Sequence, residues 1–475
     1  MKIEQIYTGC LAQGAYYIES EGEAVFIDPL RETGPYIERV EKNNVKVKYV
    51  FETHFHADFV SGHIDLAKAT GATIVYGPTA TTAYDTHIAT DGEIFEVGKI
   101  KIKVLHTPGH TLESSCYLLI DENGKDHAVF TGDTLFIGDV GRPDLAIKGD
   151  LTEKDLANML YDSLHYKIMT LADDVIVYPA HGAGSACGKN MSKETVSTIG
   201  AQKELNYALK AATREQFVYE VTEGLAKPPQ YFAKNAMLNK MGYDNIDAVM
   251  ARGAQALTPA AFEEAVNAEI ALILDVRSPQ DFATGFIPNS ISIGLDGQFA
   301  PWVGALIVDI KQPIVLVTPE GREEETVVRL ARVGYDNCIG FLDGGFDAWK
   351  NAGFETDTIT SVTADELAAT YAQHPDIKIL DARRPGEYAA EHLETSDSFP
   401  LDDINEYMGE LDKNETYYIH CAGGYRSMIM ASILRARGFD HLIDIQGGFA
   451  AIKKSKKFVV TDYICPSKLK NKTLA

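Results

Sequence analysis

Thr53-His54-Phe55-His56-Ala57-Asp58-Phe59 decides how the first half of this chain is read. It follows a β-type run at 47–51, and three further short motifs share its character: Thr107-Pro108-Gly109-His110, Thr131-Gly132-Asp133 and Pro179-Ala180-His181. Each is preceded by another β-type run, at 100–105, 128–131 and 175–178. Every candidate ligand therefore sits just past the C-terminal end of a strand, where loops converge at one sheet edge while the strands fix their positions. His54, His56, His110, Asp133 and His181 offer imidazole and carboxylate donors without a thiolate, a set suited to Zn, Fe, Ni or Mn. Asp58 adds a second carboxylate, but the next residue, Phe59, has no lone pair to give. One metal is favoured over two.

The rest of the chain sets the bounds. At 475 residues it is too long for one ordinary core, and roughly two to four domains are expected. A formal charge of −24 argues against a nucleic-acid partner, since nothing offsets phosphate repulsion. The one basic cluster, Lys453-Lys454-Ser455-Lys456-Lys457, reads as a solvated helix end. Six scattered cysteines (10, 116, 187, 338, 421, 465) suit a reducing compartment better than a disulfide framework. Met1 to Ile6 reads as a first strand rather than a leader, and no apolar run reaches the roughly 18 residues that span a bilayer. A cytoplasmic location without membrane contact is the expectation.

Between 191 and 250 the pattern is helix-rich, interrupted at Lys227-Pro228-Pro229. Beyond it lies an internal repeat offset by about 104 residues. Leu274-Asp275-Val276-Arg277-Ser278-Pro279 matches Leu380-Asp381-Ala382-Arg383-Arg384-Pro385, and Asp343-Gly344-Gly345-Phe346 matches Gln446-Gly447-Gly448-Phe449. A period this long means duplicated domains, not solenoid units. In the second copy, strand-like Tyr417 to His420 feeds Cys421-Ala422-Gly423-Gly424-Tyr425-Arg426-Ser427 and then an apolar helix. Inward-pointing N–H groups at a helix start favour an anion, and cysteines so placed ionise readily. Cys421 is the expected nucleophile, Arg426 an anion-binding side chain, and Asp381 with Arg383 the pin of the loop. Aligning Arg322 with Arg426 sets Val317 where Cys421 stands, and Glu323-Glu324-Glu325 at the helix start would repel anions. The first copy lacks the thiol and is read as inactive.

Both copies resemble rhodanese domains, through the D-x-R start, the loop before a helix and the closing G-G-F. The T-H-x-H-x-D run with its downstream motifs resembles the metallo-β-lactamase superfamily, whose hydrolases usually carry a histidine where Phe59 stands. The fold implied is multidomain α/β: an αββα sandwich over 1–250, a degenerate rhodanese-like domain over 256–356 and an active one over 360–460. Periodicity alone supports only α/β.

The whole chain is similar to bacterial persulfide dioxygenase–sulfurtransferase fusions. That resemblance implies one Fe(II) per chain on His54, His110 and Asp133, with molecular oxygen as co-substrate. His56, Asp58 and His181 then orient ligands or water, with His56 as a fourth ligand the open alternative. Arg142, in Asp139-Val140-Gly141-Arg142-Pro143-Asp144, is either an anion-binding residue or half of a salt bridge. Cys187, six residues past His181, either guides sulfur at the pocket or fills a buried space. The implied activity oxidises a low-molecular-weight thiol persulfide to sulfite and thiol, while Cys421 makes or uses thiosulfate, in sulfide detoxification. A dimer or tetramer is implied too. The rival reading is a thioester hydrolase similar to glyoxalase II with sulfurtransferase domains attached.

Overall fold

Alternation within the strands of the first half sorts side chains into three apolar layers. In the computed structural model, which describes residues 1–146 and 151–465, β1 (Lys2–Thr8), β2 (Gln13–Ser20), β3 (Glu23–Ile27), β4 (Lys46–Phe51), β5 (Thr73–Tyr76) and β6 (His87–Ile88) form one sheet in that order. A second sheet contains β7 (Ile94–Val97), β8 (Ile100–His106), β9 (Ser115–Ile120), β10 (Asp126–Gly132), β11 (Ile176–Pro179) and β12 (Ser197–Thr198), again with neighbours in chain order.

Tyr16, Ile18, Val25 and Ile27 of the first sheet share a core with Val104, Tyr117, Leu119 and Phe130 of the second. Their alternates point the other way, as the two-residue period of a strand requires. Ala15, Tyr17, Ala24 and Phe26 pack with Tyr36 and Leu66 from the helices Gly34–Asn43 and His63–Thr70. Cys116, Leu118, Val129 and Val177 pack with Leu160 and Phe217 from the helices Glu153–Ser163 and Arg214–Thr222. Helix, sheet, sheet, helix: this is the αββα sandwich.

The chain divides into two compact units. One holds Met1–Ala248 with Val328–Asp336, and the other holds Val249–Val327 with the chain from Asn337 on. The second unit contains two five-stranded sheets. The first comprises β13 (Ala256–Leu257), β14 (Leu272–Asp275), β15 (Ile291–Ser292), β16 (Ile314–Val317) and β17 (Cys338–Leu342), ordered 13-17-16-14-15. The second comprises β18 (Thr360–Val362), β19 (Lys378–Asp381), β20 (Ser396–Ser398), β21 (Tyr417–His420) and β22 (Leu442–Ile445), ordered 18-22-21-19-20. The two orders are the same, so the sequence repeat is a structural one. Every pairing is parallel. Parallel strands covered on both faces are apolar throughout, as Ile314-Val315-Leu316-Val317 is, with all four buried.

Among the described residues no helix is long and apolar enough to cross a membrane. The helix Glu153–Ser163 closes one outer layer through Leu160, which has no exposed surface. Leu160→Ala should lower the stability of the first unit by roughly 2–5 kcal/mol in urea unfolding. A loss below about 1 kcal/mol would contradict a tightly packed layer.

Candidate metal centre and cysteine loop

Strands β4, β8, β10 and β11 end at Phe51, His106, Gly132 and Pro179, and the next few residues bring His54, His110, Asp133 and His181 to one sheet edge. Gly132 makes this closure possible. Its φ is +52°, and a Cβ there would lie 2.6 Å from the Thr53 side chain.

Hydrogen bonds fix which ring nitrogen each histidine presents. Thr53 Oγ1 donates to Asp28 Oδ2 at 2.8 Å. Its 3.0 Å contact with His54 Nδ1 is therefore a bond donated by the ring, which leaves the lone pair on Nε2. His110 Nδ1 lies 2.9 Å from the Arg142 carbonyl, which only accepts, so His110 also presents Nε2 as a lone pair. Those two Nε2 atoms stand 3.9 and 3.4 Å from Asp133 Oδ2. Both oxygens of Asp133 are buried without a hydrogen-bond partner. Burial, aided by the neighbouring imidazoles, pushes His54 well below its ordinary pKa and keeps it neutral. Two lone pairs and an unpartnered carboxylate, mutually within 4.8 Å, fit a divalent metal.

His56, Asp58 and His181 form a second donor set, also within 4.8 Å. His181 Nε2 lies 3.4 Å from Asp58 Oδ2 and 3.6 Å from Asp133 Oδ1. His56 Nε2, however, sits 3.0 Å from Asp28 Oδ1. Burial alone would lower His56, but Asp28, with Glu52 and Asp58 beyond it, raises it to about 9. The Phe59 ring is buried against it, with centroids 4.3 Å apart. Asp28 and Glu52 were not singled out in the sequence; an acid ending the apolar run of β3 was the available signal.

Cys187 is buried, with its sulfur within 4.8 Å of donor atoms of Asp133 and His181. Burial, then the Asp58 and Asp133 carboxylates, pushes its thiol far up. Arg142 braces this wall rather than offering its charge. Its guanidinium grips Asp144 at 2.6 and 2.7 Å and also donates to the carbonyls of Ala186 and Ala226. Its own N–H donates to the Cys187 carbonyl at 3.1 Å.

In the second unit, Cys421 follows β21 directly and is buried. Its sulfur accepts from Gly424 N–H at 3.1 Å and lies 3.7 Å from Ser427 Oγ. Asp381 chelates Arg383 at 2.5–3.0 Å, and the guanidinium covers Phe449, whose N–H binds the Cys421 carbonyl. Arg426 holds Glu387 through two bonds of 2.6 and 2.8 Å, so an anion at Cys421 would compete with that carboxylate.

The first copy shows where ungapped alignment misleads. Asp275 pairs with Val317 as Asp381 pairs with His420, so Thr318, not Val317, occupies the place of Cys421. Arg322 follows Thr318 by four residues, whereas Arg426 follows Cys421 by five, so counting back from the arginine overshoots by one. Glu323 accepts from Thr318 Oγ1 at 3.3 Å and from Gly321 N–H at 3.1 Å, filling the turn with a carboxylate. This copy nonetheless touches its sister's loop. Tyr425 donates to the Gly294 carbonyl at 2.6 Å, and a Cβ on Gly297 would meet the Tyr425 ring at 2.7 Å.

Residues 8–181 match the metallo-beta-lactamase superfamily, and residues 258–352 and 363–455 each match the rhodanese-like domain. Human persulfide dioxygenase ETHE1, mitochondrial, is 32% identical over 211 residues, 44% of this chain and 75% of that protein. The probable hydroxyacylglutathione hydrolase glo2 of Schizosaccharomyces pombe is 35% identical over 144 residues, 30% of this chain and 52% of that one, so the chain spans about half its length. A solved metallo-beta-lactamase of Staphylococcus aureus is 30% identical, with a TM-score of 0.63 over 72% of this chain and 98% of its own. The chain belongs to the metallo-β-lactamase superfamily. More narrowly, it joins such a domain, with persulfide dioxygenase relatives, to rhodanese-like domains behind it.

Two expectations follow from these contacts. Thr53→Val removes the acceptor that aligns His54, and should weaken metal binding about 10–100-fold in competition with a chelator; unchanged affinity would refute the alignment. Gly297→Val should slow Cys421 alkylation or transfer by displacing Tyr425, while leaving metal content intact.

Proposed function

We propose that the first unit is a persulfide dioxygenase and that Cys421 carries sulfur for the second. In the first, RSSH + O2 + H2O gives RSH and sulfite with two protons; in the second, a Cys421 persulfide and sulfite give thiosulfate and the Cys421 thiolate. The observation that carries this reading is the trio at Asp133, with two Nε2 lone pairs and a carboxylate lacking any other partner. His54, His110 and Asp133 would hold one ferrous iron, which when bound would bring a persulfide sulfur and dioxygen together for oxidation.

The chain's own groups do the rest. Thr53 and the Arg142 carbonyl keep both imidazoles in the ligating tautomer. The buried thiol of Cys187 gives an uncharged wall beside Asp133 and His181, suited to a sulfur substrate. His181 and Asp58 are placed to orient water, and Phe59 closes the side near His56. At the other site, Gly424 N–H donates to the sulfur that would bear negative charge. The same reading takes a low-molecular-weight thiol persulfide as substrate, a dimer or tetramer as the assembly and the cytoplasm as the setting.

A thioester hydrolase is the second reading. The His56, Asp58 and His181 set and the hydroxyacylglutathione hydrolase relative favour it. Oxygen uptake by the iron-loaded chain with glutathione persulfide separates the two. We expect uptake matched by sulfite; hydrolysis of a glutathione thioester without uptake would overturn the proposal. Cys421→Ser should preserve uptake and abolish thiosulfate formation, and unchanged thiosulfate would refute the transfer role.

A further inference from the structure

β22 reads Leu442-Ile443-Asp444-Ile445, an apolar parallel strand with one buried acid inside it. A carboxylate in such a place is costly unless something uses it. Two hydroxyls reach it. Ser427 Oγ donates to Asp444 Oδ1 at 2.7 Å, and Ser361 Oγ donates to Oδ2 at 3.2 Å. Ser427 in turn faces the Cys421 sulfur at 3.7 Å. A continuous line thus runs from sulfur through one hydroxyl to a carboxylate.

The inactive copy lacks every member of that line. Ser361 pairs with Asp444 as Ala256 pairs with Phe341, so alanine and phenylalanine stand in those places. Leu330 and Leu434 close equivalent helix ends through Tyr335 and Phe439. Seven residues before each leucine lie Glu323 and Ser427. The acid, its two serines and the thiol are present together or absent together, which separates this group from general scaffolding.

We propose that Asp444 is the proton acceptor for the Cys421 thiol, working through Ser427 as a positioning residue for sulfur transfer; this rests on reading Cys421 as the nucleophile. The Cys421 S–H bond breaks and sulfur keeps the electron pair. The proton goes to the Ser427 oxygen, whose own proton passes to Asp444 Oδ1. One negative charge leaves the carboxylate and one appears on sulfur, so the buried site never holds two. When Cys421 is later released as a thiolate, the proton returns by the same route.

The surroundings suit the task. Burial raises Asp444 to about 6, against the pull of the Ser427 and Ser361 hydrogen bonds, so it is ionised at neutral pH yet accepts a proton at small cost. Neighbouring charges are paired with one another: Asp381 with Arg383, 3.9 Å from His420, and Glu387 with Arg426. From β18 the Ser361 hydroxyl reaches Asp444.

The test is iodoacetamide alkylation of Cys421 in the full chain, followed across pH by mass spectrometry of its peptide. It needs no sulfur-transfer activity, so its failure is distinguishable from failure of the functional reading. Two coupled groups should give the parent chain a two-step profile. Asp444→Asn should collapse it to one step and slow sulfur transfer at neutral pH about 10–100-fold. If that variant does not fold, Ser427→Ala, which keeps the acid but breaks the line, should also lose the lower step. A profile superposable on the parent's in either folded variant would overturn the proposal.

Discussion

A carboxylate buried with neither oxygen hydrogen-bonded is the constraint around which the first unit is arranged. Asp133 is in that state, and unpartnered buried charge is among the most expensive features a protein can retain. A divalent cation would balance it, and the neighbouring groups can ligate one. Two imidazoles present lone pairs because their other nitrogens are tied, one to a threonine hydroxyl and one to a backbone carbonyl. Gly132 exists where it does because the Thr53 and Asp133 loops must meet there without a side chain between them. The αββα layers supply the rigid strand ends from which these loops leave.

The two sites solve opposite problems. At the candidate metal centre the protein gathers lone pairs; at Cys421 the Gly424 N–H donates to the sulfur, and the Ser427 oxygen faces it with its own proton committed to Asp444. The first copy, with no cysteine at that position, illustrates how little separates such a loop from a closed one. With Thr318 in the sulfur's place and the Glu323 carboxylate folded into the turn, the same backbone order no longer welcomes an anion. Its hold on Tyr425 gives the copy a structural purpose nonetheless.

Much of this could be read from the sequence because it depends on local pattern. The four strand-then-ligand motifs, the duplicated D-x-R and G-G-F signatures, and the cysteine loop are all contiguous in the chain. What the sequence concealed depends on partners far apart in it. Arg142 could be read as an anion ligand or as half of a salt bridge, and its guanidinium pairs with Asp144 and reaches the carbonyls of Ala186 and Ala226. The sequence left His56 either orienting ligands or serving as a fourth one, and the carboxylate that lies beside it, Asp28, follows a different strand. The position of Thr318 needed strand register, since a loop one residue shorter defeats counting back from an arginine. Asp444 was invisible because a single acid in an apolar strand carries no motif.

The claim on which the account turns is that one metal occupies the Asp133 trio with two imidazoles and a carboxylate. X-ray absorption at the iron edge of anaerobically loaded protein measures that directly. A single iron there should show a nitrogen and oxygen shell containing two imidazoles and no metal–metal scattering; a second metal at about 3.5–4 Å would refute the one-metal site.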